Sequence, residues 1–289
     1  MNQSWSVGDV EVTCVTETMF EVPAGVLVRD FDAAVLADHL GALQPAYLTD
    51  SMLLRIAIQT FAIRCGDHRL IVDTCFGNDH DLPYFSSLQT THLESLAEAG
   101  FERSTVDAVV CTHLHMDHVG WNTMLVQGQW VPTFPNAEYL FGELEYQHWR
   151  RRDQADAGLH ESIDPVIAAG LHHFVDADHQ ITPEVSLVPS PGHTPGHVSV
   201  RIESGGEVAL ITGDMVHHPA QIFCHEWASV PDFDPVASVA TRRTMFPALA
   251  DHDVLVLGTH FHNPTGGHIR RRDEGGWSWT PVAHDGAGR

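Results

Sequence analysis

Basic residues are scarce in this chain. Fifteen Lys plus Arg stand against 38 Asp plus Glu, a formal net charge of −23 over 289 residues. Nucleic acid and anionic membranes both demand basic surface, so neither is expected as the main partner. Cysteine is sparse too: Cys14, Cys65, Cys75, Cys111 and Cys224 are scattered and form no CxxC pair, which argues against a cysteine zinc ribbon. An odd count without a small-domain pattern favours reduced thiols. No apolar run approaches the ~20 residues of a membrane helix. The opening Met1-Asn2-Gln3-Ser4-Trp5 has no basic or apolar leader region, so a cytoplasmic location is expected. No internal repeat or low-complexity linker is visible, and one domain over 1–289 is expected. A G-x-S-x-G nucleophile elbow is missing, so chemistry from a serine nucleophile is not expected.

Histidine, by contrast, is plentiful, with 22 residues. The densest stretch is Thr112-His113-Leu114-His115-Met116-Asp117-His118, directly after the apolar run Ala108-Val109-Val110-Cys111. Imidazole and carboxylate are the ligands of zinc and its first-row neighbours. The apolar run reads as a buried strand, which puts the ligands on the loop at its end, where open α/β sheets place their sites. His113 and His115 would share a face. Asp117 and His118 would point elsewhere, toward a second ion.

Three later loops repeat the design. His193 lies in Pro191-Gly192-His193-Thr194-Pro195-Gly196-His197, Asp214 follows the run Val208 to Gly213, and His260 follows Val254 to Thr259. Each candidate comes just after an apolar run, with Gly or Pro beside it. Together they suggest one rim of a sheet carrying one site.

The HxHxDH motif, the PGHTPGH segment, the Gly213-Asp214 pair and Gly258-Thr259-His260 make the chain resemble the metallo-β-lactamase-fold hydrolase superfamily. Within it the chain resembles the lactonase and methyl parathion hydrolase branch: Gly213-Asp214-Met215-Val216-His217, the helix candidate Asp234 to Leu249 and the tail Gly267-His268-Ile269-Arg270 are similar to methyl parathion hydrolases, and PGHTPGH to both groups. The resemblance implies an α/β fold: an αββα sandwich of two mixed sheets flanked by helices. It implies two divalent metal ions, with zinc the first expectation and manganese, cobalt or iron able to use the same ligands. His113, His115 and His193 would hold one, Asp117, His118 and His260 the other, and Asp214 both. Asp73 would support a ligating imidazole. Family members often have glycine where this chain has Cys75. Its thiol is read as a packing feature.

The implied activity is hydrolysis, in which a metal-bridging hydroxide opens a small-molecule lactone or cleaves a carboxylic ester. Phosphotriester hydrolysis is the runner-up, and an iron-dependent oxidoreductase of the same superfamily a third reading. Asp117 is a candidate proton carrier to the leaving alkoxide, or a plain ligand. Many acyl-homoserine lactonases have tyrosine at the position of His217, whereas histidine here is similar to methyl parathion hydrolases. His217 is a candidate oxyanion donor, with a packing role as the alternative. Trp121, Asn122, Phe223, His225 and Trp227 are candidate substrate-pocket residues by their nearness in sequence to the motifs. By resemblance, the stretch from Phe20 to Tyr47 would cover the pocket or form a homodimer contact, and a core role is equally open. The arginine runs Arg150 to Arg152 and Arg270 to Arg272 are expected on solvated faces.

Strands are expected at Val10 to Thr16, Leu53 to Arg64, Arg69 to Asp73, Ala137 to Phe141, Val185 to Val188, His197 to Ile202, Val208 to Thr212 and Val254 to Leu257. A closing hairpin joins Ile269–Arg272 to Trp277–Trp279. Helices are expected at Thr91 to Ala99, Glu143 to Arg151, Glu161 to Ala169 and Asp234 to Leu249.

Overall fold

A computed structural model describes residues 2–80, 88–151 and 159–284; Arg152 of the first arginine run lies outside them. In the N-terminal half the strands are β1 (Gln3–Val7), β2 (Val10–Pro23), β3 (Leu53–Cys65), β4 (His68–Val72), β5 (Ala108–Cys111), β6 (Thr123–Val126), β7 (Gln129–Pro132), β8 (Glu138–Gly142) and β9 (His172–Val175). In the C-terminal half they are β10 (Val185–Pro189), β11 (Val198–Ser204), β12 (Glu207–Ile211), β13 (Leu255–Leu257), β14 (Gly266–Arg271) and β15 (Trp277–Pro281).

One sheet has the order β1-β2-β3-β4-β5-β8-β9, the other β10-β11-β12-β13-β14-β15, and β6 pairs only with β7. Both are mixed: β4, β5, β8 and β9 run parallel, as do β12 and β13, while the other pairs are antiparallel.

Alternation along the strands decides the layers, because successive side chains point to opposite faces. Phe61, Ile63, Leu70, Val72, Val110 and Leu140 share one core with Val185, Leu187, Val200, Ala209, Ile211 and Leu257 of the facing sheet. The intervening residues Ala62, Ile71, Val109, Tyr139 and Phe141 pack outward on Leu96, Trp149 and Val166 from helices. On the second sheet Leu210, Val256 and Ile269 pack on Phe246 and Leu249 of the long helix Pro235–Asp251. Each fully buried aliphatic or aromatic side chain contributes roughly 1.5–3 kcal/mol. Two sheets inside and helices outside give the αββα arrangement.

The long helix begins where its sequence directs. Asp234 Oδ1 accepts the Ala237 N–H at 2.9 Å, and Pro235 occupies the first turn. Elsewhere the structure departs from the sequence reading. β2 runs past Thr16 to Pro23, because a register shift between Thr16 and Thr18 lets its pairing with β3 resume. The expected helix from Glu161 is a π-turn at Leu159–Ile163 followed by a helix at Asp164–Ala168. Pro165, at the start of that helix, cannot donate into a preceding turn.

The stretch after β2 has two roles. Leu36, Leu43, Tyr47 and Leu48 are fully buried in the second sheet's outer core. Leu27, by contrast, forms part of the wall of a cavity described below. No described helix is long and apolar enough to cross a membrane. Arg270 pairs with Asp253, and Arg271 with Asp251 through two contacts of 2.8 Å, all at exposed positions.

Candidate metal centre

The loops after β5, β10, β12 and β13 meet at one rim. They bring His113, His115, His193 and Asp214 into one group, and Asp117, His118 and His260 into a second. Asp214 faces both. Its Oδ2 lies 3.1 Å from His193 Nε2 and 3.6 Å from His113 Nε2, while its Oδ1 lies 3.3 Å from His118 Nε2 and 3.0 Å from His260 Nε2. Asp117 Oδ2 completes the second group, 3.6 Å from His118 Nε2 and 3.5 Å from His260 Nε2.

Hydrogen bonds outside the cluster set how these rings are protonated. His118 Nδ1 donates to Asp73 Oδ2 at 2.8 Å, His193 Nδ1 to Asp232 Oδ1 at 3.0 Å, and His260 Nδ1 to the Ala57 carbonyl at 2.9 Å. The Thr112 hydroxyl donates to Asp73, so it accepts from His113 Nδ1 at 3.1 Å. Each neutral ring therefore turns an Nε2 lone pair inward.

Those lone pairs converge. His113 Nε2 is 2.9 Å and His193 Nε2 2.8 Å from His115 Nδ1, and His118 and His260 Nε2 are 3.2 Å apart. The buried Asp214 Oδ1 has no hydrogen-bond partner. Acceptors packed this closely need protons or cations between them. The nitrogen and oxygen donor set suits zinc or a neighbouring first-row ion, so the residues fit the two divalent ions the motifs imply.

The electrostatics agree. Burial opposes charge on Asp214, yet His260, His118, His217 and His193 hold its carboxyl well below the usual range. Burial drives His113 and His115 well down, helped by neighbouring imidazoles. Burial also works against a proton on His193, but Asp214 and Asp232 outweigh it and raise the ring to about 9. His118 and His260 are raised in the same way, Asp214 being the main opposing influence.

Local backbone geometry serves the ligands. Asp73 has φ +56°, an uncommon conformation for a non-glycine residue. Three bonds of 2.8 Å hold its carboxylate, from the Thr112 N–H, the Thr112 hydroxyl and His118. Cys75 has φ +54°. It is fully buried against Thr60 at 3.3 Å, and burial pushes its thiol well above the ordinary range. A thiol so disfavoured as a thiolate is a packing group.

A cavity of about 270 Å³ opens over the cluster, lined by Leu27, Ile56, Ile58, Met116 and Pro231 beside the polar residues. His217 lines it as well, with Nε2 3.2 Å from Asp214 Oδ2.

The five expected pocket residues pack around the site rather than on this cavity's surface. None lines this cavity. Trp121 is buried and donates to Glu17 at 2.7 Å. Asn122 is fully buried and accepts from the Thr74 hydroxyl at 3.0 Å. Both sit on the turn Gly120–Asn122, whose N–H groups at Gly120 and Trp121 bond to the Cys75 and Thr74 carbonyls and so draw it into the 74–76 loop. Phe223 stacks on His39 at 4.7 Å, His225 pairs with Glu226 at 2.9 Å, and Trp227 packs on Phe31 at 5.4 Å. Phe223 and Trp227 are thus used to seat the segment after β2.

The sequence reading missed several organising residues. Glu145, almost fully buried, accepts from the Leu114 N–H at 3.3 Å, the Gly196 N–H at 3.0 Å and Trp149 Nε1 at 2.6 Å, tying two ligand loops together. Arg242, fully buried, donates to the Met215, His225 and Trp227 carbonyls and to the Ser238 hydroxyl. His197 was signalled by the PGHTPGH segment. No local signal marked Asp232.

Comparison with known proteins shows what the chain is similar to. An N-acyl homoserine lactonase of Bacillus thuringiensis subsp. kurstaki is 23% identical over 209 residues, covering 66% of this chain and 73% of that protein. The probable metallo-hydrolase YflN of Bacillus subtilis (strain 168) is 27% identical over 152 residues, covering 48% and 54%. The crystal structure of AbOPH, a hydrolase in the beta lactamase superfamily, superposes with a TM-score of 0.84 at 23% identity over 98% of both chains. AidC, a dizinc quorum-quenching lactonase solved with a product bound, gives 0.78 at 21% identity over 98% and 97%. Residues 56–260 match the metallo-beta-lactamase superfamily as a family, and the chain belongs to it.

Proposed function

We propose that the protein is a dinuclear metal hydrolase, with zinc the first choice of ion, that opens lactones or cleaves carboxylic esters. The observation that carries this reading is the shared Asp214 carboxylate, with imidazole nitrogens at 3.0–3.6 Å on both of its oxygens, beneath an apolar-walled cavity. Two bound divalent ions would supply Lewis acidity and an acidified water. Lactonase relatives at low identity support the choice of substrate class.

The chain's own residues would divide the remaining work. Leu27, Ile56, Ile58, Met116 and Pro231 offer a wall for the hydrocarbon part of a substrate. His217 Nε2 is buried at the cavity surface beside Asp214 Oδ2; with that oxygen taken up by an ion, the nitrogen is placed to donate to a carbonyl oxygen as negative charge develops there. Asp117, whose side chain is 23% exposed at the cavity wall, is placed to pass a proton to the leaving alkoxide. Phosphotriester hydrolysis is the second reading, on the strength of histidine rather than tyrosine at 217.

Proton release by zinc-loaded protein tests this across acyl-homoserine lactones, simple γ- and δ-lactones, aryl esters and a methyl phosphotriester, each with a chelated control. The proposal expects lactone or ester turnover that chelation abolishes. Dominant phosphotriester turnover would favour the second reading, and turnover that survives chelation would refute both.

A further inference from the structure

The hydrogen bonds behind His217 determine which of its nitrogens carries the proton. Gln221 Oε1 accepts the His217 backbone N–H at 2.8 Å. That fixes the amide, because the reversed group would set N–H against N–H. Gln221 Nε2 then donates to the Trp227 carbonyl at 3.0 Å and to Ser229 Oγ at 2.9 Å. Ser229 Oγ lies 2.8 Å from His217 Nδ1 and has no further hydrogen-bond partner among the described residues. Asp232 Oδ2 accepts the Ser229 N–H at 2.8 Å and holds the serine in place. His217, Gln221, Ser229 and Asp232 are all buried, so water does not offer the serine proton another acceptor.

A hydroxyl that already accepts from Gln221 has one proton to give, and His217 Nδ1 is where it goes. An imidazole that accepts at Nδ1 carries its hydrogen on Nε2. The Nε2 atom is the one that faces the cavity, 3.2 Å from Asp214 Oδ2, the carboxylate oxygen that a bound ion would take up.

We propose that Gln221 and Ser229 are positioning residues that lock His217 in its Nε2–H tautomer, making it a hydrogen-bond donor to substrate oxygen and barring it from ligating an ion. This rests on the hydrolase reading for its use but not for its test. It also assigns a role within a third cluster of potential ligands, His193, His217 and Asp232. There His193 Nδ1 and His217 Nδ1 are both engaged in hydrogen bonds, with Asp232 and Ser229, and His217 Nε2 is protonated, so no cation is expected within that group.

The test is two-bond proton–nitrogen NMR on zinc-loaded protein labelled with ¹⁵N-histidine. The signals of His217 are identified by their loss in His217→Gln. The proposal expects an unprotonated Nδ1 and a protonated Nε2. In Gln221→Glu the carboxylate only accepts, so the Ser229 hydroxyl turns toward it and His217 is left to donate from Nδ1, reversing the tautomer. Ser229→Ala, a smaller change, removes the donor and leaves the two tautomers mixed. On a substrate that the enzyme turns over, Gln221→Glu should lower kcat on the order of a hundredfold with KM little changed, as loss of an oxyanion donor does, and Ser229→Ala by the much smaller factor that a mixed tautomer population allows. A protonated Nδ1 with a bare Nε2 in the unmodified protein overturns the proposal. So does retention of the Nε2–H tautomer in both variants. If the tautomer is as expected and no substrate in the panel is cleaved, the wiring stands and the substrate reading fails.

Discussion

The backbone N–H of Asp214 donates to His197 Nε2 at 2.8 Å. The opposite nitrogen, Nδ1, donates to the Ser190 carbonyl at 2.9 Å, and burial holds the ring neutral, with its pKa down to about 3. The second histidine of PGHTPGH is thus a fixed acceptor for the loop that presents the shared carboxylate. Gly213 makes the approach possible. It has φ +52°, and a Cβ there would lie 2.5 Å from His197 Nε2. Replacing His197 with alanine should cost about 1–3 kcal/mol, the penalty for a buried unpaired donor, and weaken zinc retention. Urea unfolding with metal analysis checks this. Unchanged stability and unchanged metal content would show that the bond does not position Asp214.

Asp73 accepts from His118 and twice from Thr112. Asp73→Asn removes the charge that orients His118. Zinc affinity at the group containing His118 should fall by about 10–100-fold, as for other carboxylates behind a ligating histidine. Chelator competition measures it, and equal affinity in the variant would leave Asp73 a purely structural role.

Arg242 is fully buried and satisfies three carbonyls and a hydroxyl. Arg242→Met keeps much of the volume but takes the Arg242 donors from the Met215 and His225 carbonyls, while Trp227 keeps its bond from Gln221. The loss should reach about 3 kcal/mol or more. A shift in the urea midpoint of less than a third of that would contradict the anchoring role.

With no ion bound, Asp214 and Asp232 raise His193 to about 9 against the effect of burial, and His118 and His260 are also raised. His193 thus holds a proton at neutral pH that ligation must displace, and the upward shift of the other two favours the same. Zinc binding at pH 7 should therefore release protons, and the release should shrink as the pH rises through about 9, where His193 gives up its proton unaided. Calorimetry in two buffers of different ionisation enthalpy reports it, and identical heats in both would contradict the sign.

Much of the site was legible because its ligands follow the ends of apolar strands with Gly or Pro beside them, a local pattern. The run Ala108-Val109-Val110-Cys111 is β5, and the second residue after it, His113, begins the cluster. The residues behind the ligands were less visible. Asp232 reaches His193 across 39 positions, and Glu145 reaches Gly196 across 51. Nothing local distinguishes such carboxylates from surface ones. The pocket expectations met a related difficulty. Nearness in sequence to a motif suggested Trp121 and Asn122, but their turn is tied to the Thr74 and Cys75 carbonyls and neither is among the cavity's lining residues. The actual wall takes Leu27, Ile56 and Pro231 from segments far apart in the chain. β2 was cut short because its polar run Thr16-Glu17-Thr18 breaks the alternation at the register shift.

The central claim is that Asp214 is shared by two ions. Equilibrium dialysis against zinc followed by metal analysis, on the unmodified protein and on Asp214→Ala, tests it most directly. The account predicts two ions per chain in the first and one or none in the second. One ion in the unmodified protein, or two retained in the variant, would contradict it.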